Sequence, residues 1–403
     1  MTRQIVIIGA GIVGTAIAAQ LNALDGIAVT VIDRGTSERL PGSTGHAPGY
    51  VGLLGDSPVL TDLARASAAT YDGLRLNGVD GFARVGAIEI ATMERGERVL
   101  EQRAAMAHAI GLPARLIEPA TAVALAPELI ESGLVRRGLH FPTDGTARAS
   151  IITAALRARS EASGVRYVNT QQVIGIDLNG DRVRAVRTSD TVFAADDVVI
   201  AAGIWSPLIA DMVGFDLHLT PVEHPYVYGP PRARSLPPLG PMPFVRWPEH
   251  HIYARHHGAR FGVGTYDHEP RPAAPASLDA RAERAWPGPI FDDAIARAMI
   301  YLPAANRFEP ALRLNGLFAM TPDNLPFLGP FPALQGVWVA AAIWITHAAG
   351  SAQALVDLMT DRQVQAAGNA GIDALRPARF AGQDAADLER RALALYHDIY
   401  GTT

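Results

Sequence analysis

The sequence contains no cysteine. Disulfides, thiolate metal sites, iron–sulfur clusters and cysteine nucleophiles are therefore all excluded, as is attachment of a prosthetic group to a cysteine sulfur. Long apolar runs are missing too. The longest, Val337–Ile345, is too short to span a bilayer. The first residues lack the charged region, apolar stretch and cleavage site of a signal peptide, because Gln4–Ile8 already reads as a strand. These absences lead to the expectation of a soluble cytoplasmic protein. Charge of one sign is also scarce: Lys+Arg 35 against Asp+Glu 40 gives a formal net charge of -5, dominated on the cationic side by arginine and without a basic run. Such a balance gives no electrostatic reason to bind nucleic acid or an anionic membrane. No internal repeat or low-complexity tract is visible.

What is present is apolar material. Of 403 residues, 49% are hydrophobic and 19% charged, enough for a large core or for two cores sharing one chain. Ile5–Ile8 is a continuous apolar strand of the kind buried on both faces of a parallel sheet. Gly11–Leu24 has helical spacing and Ala28–Asp33 reads as the next strand. Helices are expected at Asp62–Leu76, Arg95–Ile110, Ala149–Ser163 and Ala349–Met359. Asn179-Gly180 marks a hairpin between Val173–Asp177 and Arg182–Val186. Val198–Ala202 is a buried strand that ends at Gly203, and Val337–Ala341 is another. Proline density rises between Pro221 and Pro289, where His251–Arg255 and Arg260–Thr265 alternate as strands, so a second domain is expected there. The last helix, Asp384–Tyr400, is expected to pack across the surface.

The strongest local signal is Gly9-Ala10-Gly11-Ile12-Val13-Gly14. Gly9 permits a tight turn, Gly11 lets the backbone approach a pyrophosphate, and Gly14 lets helix and strand pack closely. The helix start supplies free N–H groups and a positive dipole end. Asp33 ends the next strand and can accept from ribose hydroxyls. A lone glycine motif is weak; the strand before, the helix after and Asp33 make it a dinucleotide site, without separating NAD from FAD. Gly42–Gly49, read as a loop, surrounds His46 with small residues, so that a flat ring could lie against its backbone. Ser43 and Thr44 offer donors. His46 is either a solvated loop histidine or a nucleophile. The pairs His250-His251 and His256-His257, read as strand neighbours, would face opposite ways and lack a carboxylate cluster, so no metal site is expected.

Together, Gly9–Gly14, Asp33, Gly42–Gly49 and Thr321–Gly329 resemble the D-amino-acid-oxidase superfamily, and within it the dimethylglycine oxidase and sarcosine dehydrogenase branch. Phe141–Gly145, Val222–Val227 and Ile343–Gly350 extend the likeness over nearly the whole chain. The resemblance implies an α/β fold: a Rossmann-like FAD-binding domain (1–80, 141–220, 316–372) interleaved with an antiparallel-sheet substrate domain (81–140, 221–315), then a helical tail (373–403). It implies FAD bonded to His46. Around the cofactor it implies Gly9, Gly11, Ile12, Val13, Gly14, Asp33, Arg34, Ser43, Thr44, Gly45, Tyr50, Val173, Gly203, Ile345, Thr346, His347 and Ala348. His224 and Tyr253 match the family's catalytic pair, the first as base or proton relay. The implied reaction is oxidation of a small secondary or tertiary amine, with oxygen or an electron-acceptor protein taking the electrons; the alternative is a flavin-binding subunit without catalysis of its own, against which His224 and Tyr253 argue. Where many amino-acid oxidases carry a carboxylate-binding arginine, this chain has Phe318; Arg246, Arg255, Arg260 and Arg313 are the other candidates. No folate-binding half is expected after Thr403, so an iminium product would hydrolyse in solvent unless a separate protein captures it.

Overall fold

The computed structural model describes residues 2–36, 40–232, 241–364 and 368–401. Two sheets organise them. The first has the strand order Arg166–Val168, Ile27–Ile32, Arg3–Ile8, Asp197–Ile200, Val337–Ala341, Phe327–Pro330. All its pairings are parallel except the last. The unbroken apolar run Ile5–Ile8 is explained by this placement. Ile5 and Ile7 join a core under the helices Ile12–Leu21, Ala149–Ala162 and Ala348–Met359. Val6 and Ile8 join a second core, under the three-stranded sheet of Val173–Asn179, Arg182–Thr188 and Val192–Ala194. Each fully buried Ile or Val contributes about 1.5–3 kcal/mol relative to exposure, so both faces stabilise the sheet.

The second sheet has nine strands, ordered Glu283–Arg284, Leu312–Met320, Thr220–Tyr228, Phe261–Thr265, Ile252–His256, Phe244–Trp247, Ala87–Ala91, Arg137–Phe141, Arg115–Ile117. It is antiparallel apart from the Phe244–Trp247/Ala87–Ala91 pair. The expected α/β architecture, a Rossmann-like sheet with an antiparallel partner, is therefore the observed one.

Some expected elements move. The helix placed at Asp62–Leu76 runs Pro58–Tyr71, because Ser57 caps it (its Oγ accepts from Leu60 N at 3.4 Å) and Pro58 sits in its first turn. The Gly42–Gly55 loop contains a 3₁₀ turn, Ser43–Gly45, and a short strand, Tyr50–Val51, paired to Gly145–Ala147. His250 ends a 3₁₀ turn and His251 has φ 56°, so these two are not strand neighbours. The C-terminal helix, Ala385–His397, is not a surface strap: Leu388, Ala392 and Tyr396 are buried, and Tyr396 packs in the aromatic cluster of the second sheet. Among the described residues, no helix is long and apolar enough to cross a membrane.

Candidate active site

One continuous cavity runs from the glycine turn to the aromatic face of the second sheet. At its first end, Gly9 has φ 113°, and a Cβ there would strike the backbone carbonyl of Ala201. A Cβ on Gly14 would strike the Gly9 carbonyl. These two glycines are required by the chain itself. Gly11 is different: its Cβ would meet only the Thr44 hydroxyl, at 3.2 Å, and otherwise face open cavity. Gly11 gives the helix that starts at Ile12 no side-chain cap, and apart from the Ile12 N–H, which donates to Thr44 Oγ1, its first-turn amides are available to a phosphate. Asp33 accepts from Ala10 N and Gly35 N, each at 2.6 Å, which fixes its carboxylate at the cavity edge. Arg34 lies over the Trp205 ring at 3.9 Å, and Val173 and Gly203 line the same end.

The loop around His46 closes the middle of the cavity. Thr44 Oγ1 accepts from Ile12 N at 3.2 Å, and Ser43 Oγ donates to Leu317 O at 2.9 Å, so the loop bridges the two sheets. The side chain of His46 is 13% exposed. Its ring lies over Gly316, where a Cβ would stand 2.8 Å from Nε2. Burial holds the imidazole below the ordinary histidine value, opposed by Glu283, and therefore neutral at physiological pH. Gly14, Gly45 and Ala348 do not line the cavity: Gly14 is under the turn, Gly45 faces Leu40, and Ala348 is fully buried in the core. Ile12, Val13, Ile345, Thr346 and His347 do line it. Thr346 Oγ1 donates to Tyr50 O at 2.9 Å, and Ile345 O accepts from Tyr71 at 2.7 Å. His347 is buried, which pushes its pKa down to about 4.

At the far end stand His224 and Tyr253, on strands separated by Phe261–Thr265. His224 Nε2 and the Tyr253 hydroxyl are 2.7 Å apart, with ring planes at 3°. They meet across the intervening strand because Gly264 has no side chain; a Cβ there would collide with the Tyr253 ring. Gly262 likewise makes room for Tyr226. The spacing Gly262-Val263-Gly264, alternate residues of one strand, was the unread signal for this flat platform. Burial holds His224 well below the ordinary histidine value, with His268 and His46 adding to it, and holds the Tyr253 phenol well above its usual value.

Of the candidate arginines, Arg246 alone lines the cavity. Arg255 is spent on the carbonyls of Pro48 and Ala147, Arg260 on Gly229 O, and Arg313 on exposed Asp292. Arg246 pairs with buried Glu89, which Arg103 also grips at 2.7 Å. The two guanidiniums overcome burial and hold Glu89 below the usual carboxylate range. Arg246 lies over Tyr50 at 4.6 Å and Tyr400 at 5.3 Å, and its Nε is buried without a partner. Tyr50 donates to Asp144 at 2.7 Å, and burial pushes that carboxyl up to about 6. Phe318 packs on Trp344 at 5.0 Å and presents an apolar wall. Two residues that sequence reasoning missed come from the tail: Tyr400 lines the cavity, and Tyr396 touches His224 from behind.

These features fit an FAD: an open cradle at Gly11, first-turn amides beyond Ile12, an acidic residue at the ribose position, and a long slot ending in aromatic walls. Comparison with known proteins agrees. Residues 4–358 match the family model DAO, FAD dependent oxidoreductase. The chain is 29% identical over 372 residues to mitochondrial dimethylglycine dehydrogenase of Rattus norvegicus, covering 88% of this chain and 42% of that protein. It therefore spans less than half of that relative's length. It is 27% identical over 377 residues to glycine oxidase of Pseudomonas aeruginosa, covering 90% of this chain and 96% of that one. The solved L-proline dehydrogenase of P. horikoshii has the same fold, with a TM-score of 0.81, 21% identity, and coverage of 94% and 98% of the two chains.

Proposed function

Because this chain belongs to the DAO family of FAD-dependent oxidoreductases, we propose that it oxidises a C–N bond of a small N-methylated amino acid, such as sarcosine or dimethylglycine. The product is an iminium that water splits into amine and aldehyde. The observation that carries this reading is the single cavity that joins the nucleotide end to the His224–Tyr253 pair beside Arg246. FAD, when bound, supplies the hydride acceptor. Gly9, Gly11, Ile12, Val13, Asp33, Arg34 and Val173 would hold its nucleotide half. Ser43, Thr44, His46, Ile345, Thr346 and His347 would lie along its ring. His46 would hold that ring covalently, a role its neutral imidazole supports.

The remaining chemistry belongs to side chains. A free alkylamine resembles lysine and is protonated near neutrality, with a pKa of about 10. Only the neutral amine can release hydride, so its proton must leave first. Tyr253 can accept it while passing its own proton to His224 Nε2, without forming a phenolate that burial disfavours. Phe318, Trp344 and Tyr266 keep this end apolar, which also lowers the amine's own pKa. Oxygen is proposed as the final electron acceptor, and hydrogen peroxide formation tests that choice.

Arg246 supports a carboxylate on the substrate. The sequence has no lysine, so arginine alone can supply a permanent positive charge here. A hydrogen bond to a charged group contributes about 1.5–3 kcal/mol. Sarcosine should therefore reduce the flavin with a kcat/KM roughly 10–100 times that of dimethylamine, which lacks the carboxylate. Arg246→Lys keeps a cation for Glu89 but loses Nε, and should erase most of that preference. Equal kcat/KM for the two substrates in the unaltered protein would remove Arg246 from substrate binding.

A further inference from the structure

Behind the His224–Tyr253 pair the hydrogen bonds continue, away from the cavity. His224 Nδ1 is 2.7 Å from the Tyr396 hydroxyl, and His268 Nε2 is 3.0 Å from the same oxygen. Tyr253 and His224 line the cavity; Tyr396 and His268 do not. The opening that admits Tyr396 is made by the backbone. The strand Thr220–Tyr228 pairs with Phe261–Thr265 only from Tyr226 to Tyr228. Pro225 brings no N–H to that side and ends the ladder. The Glu223 carbonyl left free there accepts from Tyr396 at 3.0 Å.

Counting protons fixes the direction of the network. His268 Nδ1 is 2.9 Å from the Glu269 carbonyl, which only accepts, so Nδ1 carries hydrogen and Nε2 of the neutral ring is an acceptor. Tyr396 has one hydrogen, for His268 Nε2 or for Glu223 O. Spending it on His224 instead would leave both of those acceptors without a hydrogen, so His224 Nδ1 is the donor to Tyr396. His224 Nε2 is then bare, and Tyr253 must donate to Nε2. The phenol oxygen of Tyr253 is left with lone pairs toward the cavity.

We propose that Tyr396 and His268 are relay residues of the amine oxidation, conducting the substrate's ammonium proton from the Tyr253–His224 pair out of the site through the C-terminal helix. The inference rests on the function proposed above. The step balances as one proton moved. The substrate N–H passes to Tyr253 O, the Tyr253 hydrogen to His224 Nε2, the His224 Nδ1 hydrogen to Tyr396 O, and the Tyr396 hydrogen to His268 Nε2. No electrons move along this path. His268 is buried like the other three, and it adjoins the half-exposed Asp267–Arg297 pair, the charged group through which the path would reach the surface. The charged and titratable groups around the path are Tyr226, Tyr266 and Tyr400 at Tyr253, His46 at His224, Tyr266 and Glu223 at Tyr396, and Asp267, Arg271 and His397 at His268.

Two measurements on the FAD-loaded protein test this. In ¹⁵N-histidine NMR, His224 should be the Nδ1–H tautomer, and Tyr396→Phe, which keeps the ring but removes the hydroxyl, should shift it toward Nε2–H. An Nε2–H tautomer in the unaltered protein would overturn the relay whether or not any amine is oxidised. In anaerobic stopped flow with sarcosine, Tyr396→Phe and His268→Gln should each slow flavin reduction roughly tenfold near pH 7. Both losses should vanish as pH rises toward the amine's own pKa of about 10, because solvent then removes the proton. A loss independent of pH would mark a packing role only. If sarcosine bleaches no flavin while the tautomer is as expected, the proposed function fails and the network stands.

Discussion

At the scale of single residues, the chemistry of His46 is the sharpest expectation. The sequence offered two readings of it, a solvated loop histidine or a nucleophile, and its half of the answer depended on surroundings that no local pattern reveals. The ring is enclosed, neutral, and seated over Gly316, far along the chain on the strand Leu312–Met320 of the other sheet. With cysteine absent, this histidine is the anchor proposed for the flavin. Denatured protein should keep yellow fluorescence on a gel, and His46→Ala should free the flavin into the acid supernatant. Full release of flavin from the unaltered protein by acid precipitation would contradict the bond. The glycine turn was more legible, because Gly9, Gly11 and Gly14 act through local backbone geometry. Gly9 and Gly14 are demanded by contacts with the chain, and Gly11 faces the cavity.

At the scale of elements, alternation and caps predicted where strands and helices lie better than what they touch. The strand Val337–Ala341 was readable to the residue. Tyr396 was not: it meets His224 across 172 residues of sequence, and a charged, amphipathic terminal helix reads the same whether it covers solvent-facing or catalytic surface. The glycine strand Phe261–Thr265 teaches the same lesson. Its two glycines leave a bare strip over which Tyr253 and Tyr226 lie. Gly264→Ala should therefore push Tyr253 off His224 while leaving FAD bound. Flavin reduction near neutral pH should fall on the order of 100-fold, the low end of the usual contribution of a positioned acid–base group. An unchanged rate would mean that the Tyr253–His224 contact is not needed.

At the scale of the molecule, a Rossmann-like sheet presents the cofactor end and an antiparallel sheet presents the aromatic floor, with the Ser43–Gly45 turn and the C-terminal helix closing between them. Family membership was readable from motifs spread along the chain; the position of Arg246 was not, since four arginines competed and only packing separates them. The function proposed for this assembly is removal of hydride from an N-methylated amino acid. Its most direct test is anaerobic mixing of the FAD-loaded protein with sarcosine or dimethylglycine, following flavin absorbance and assaying aldehyde after the quench. Complete bleaching is expected, with one aldehyde formed per flavin. A flavin that stays oxidised with every N-methylated amino acid tried, in protein that binds FAD fully, would contradict it.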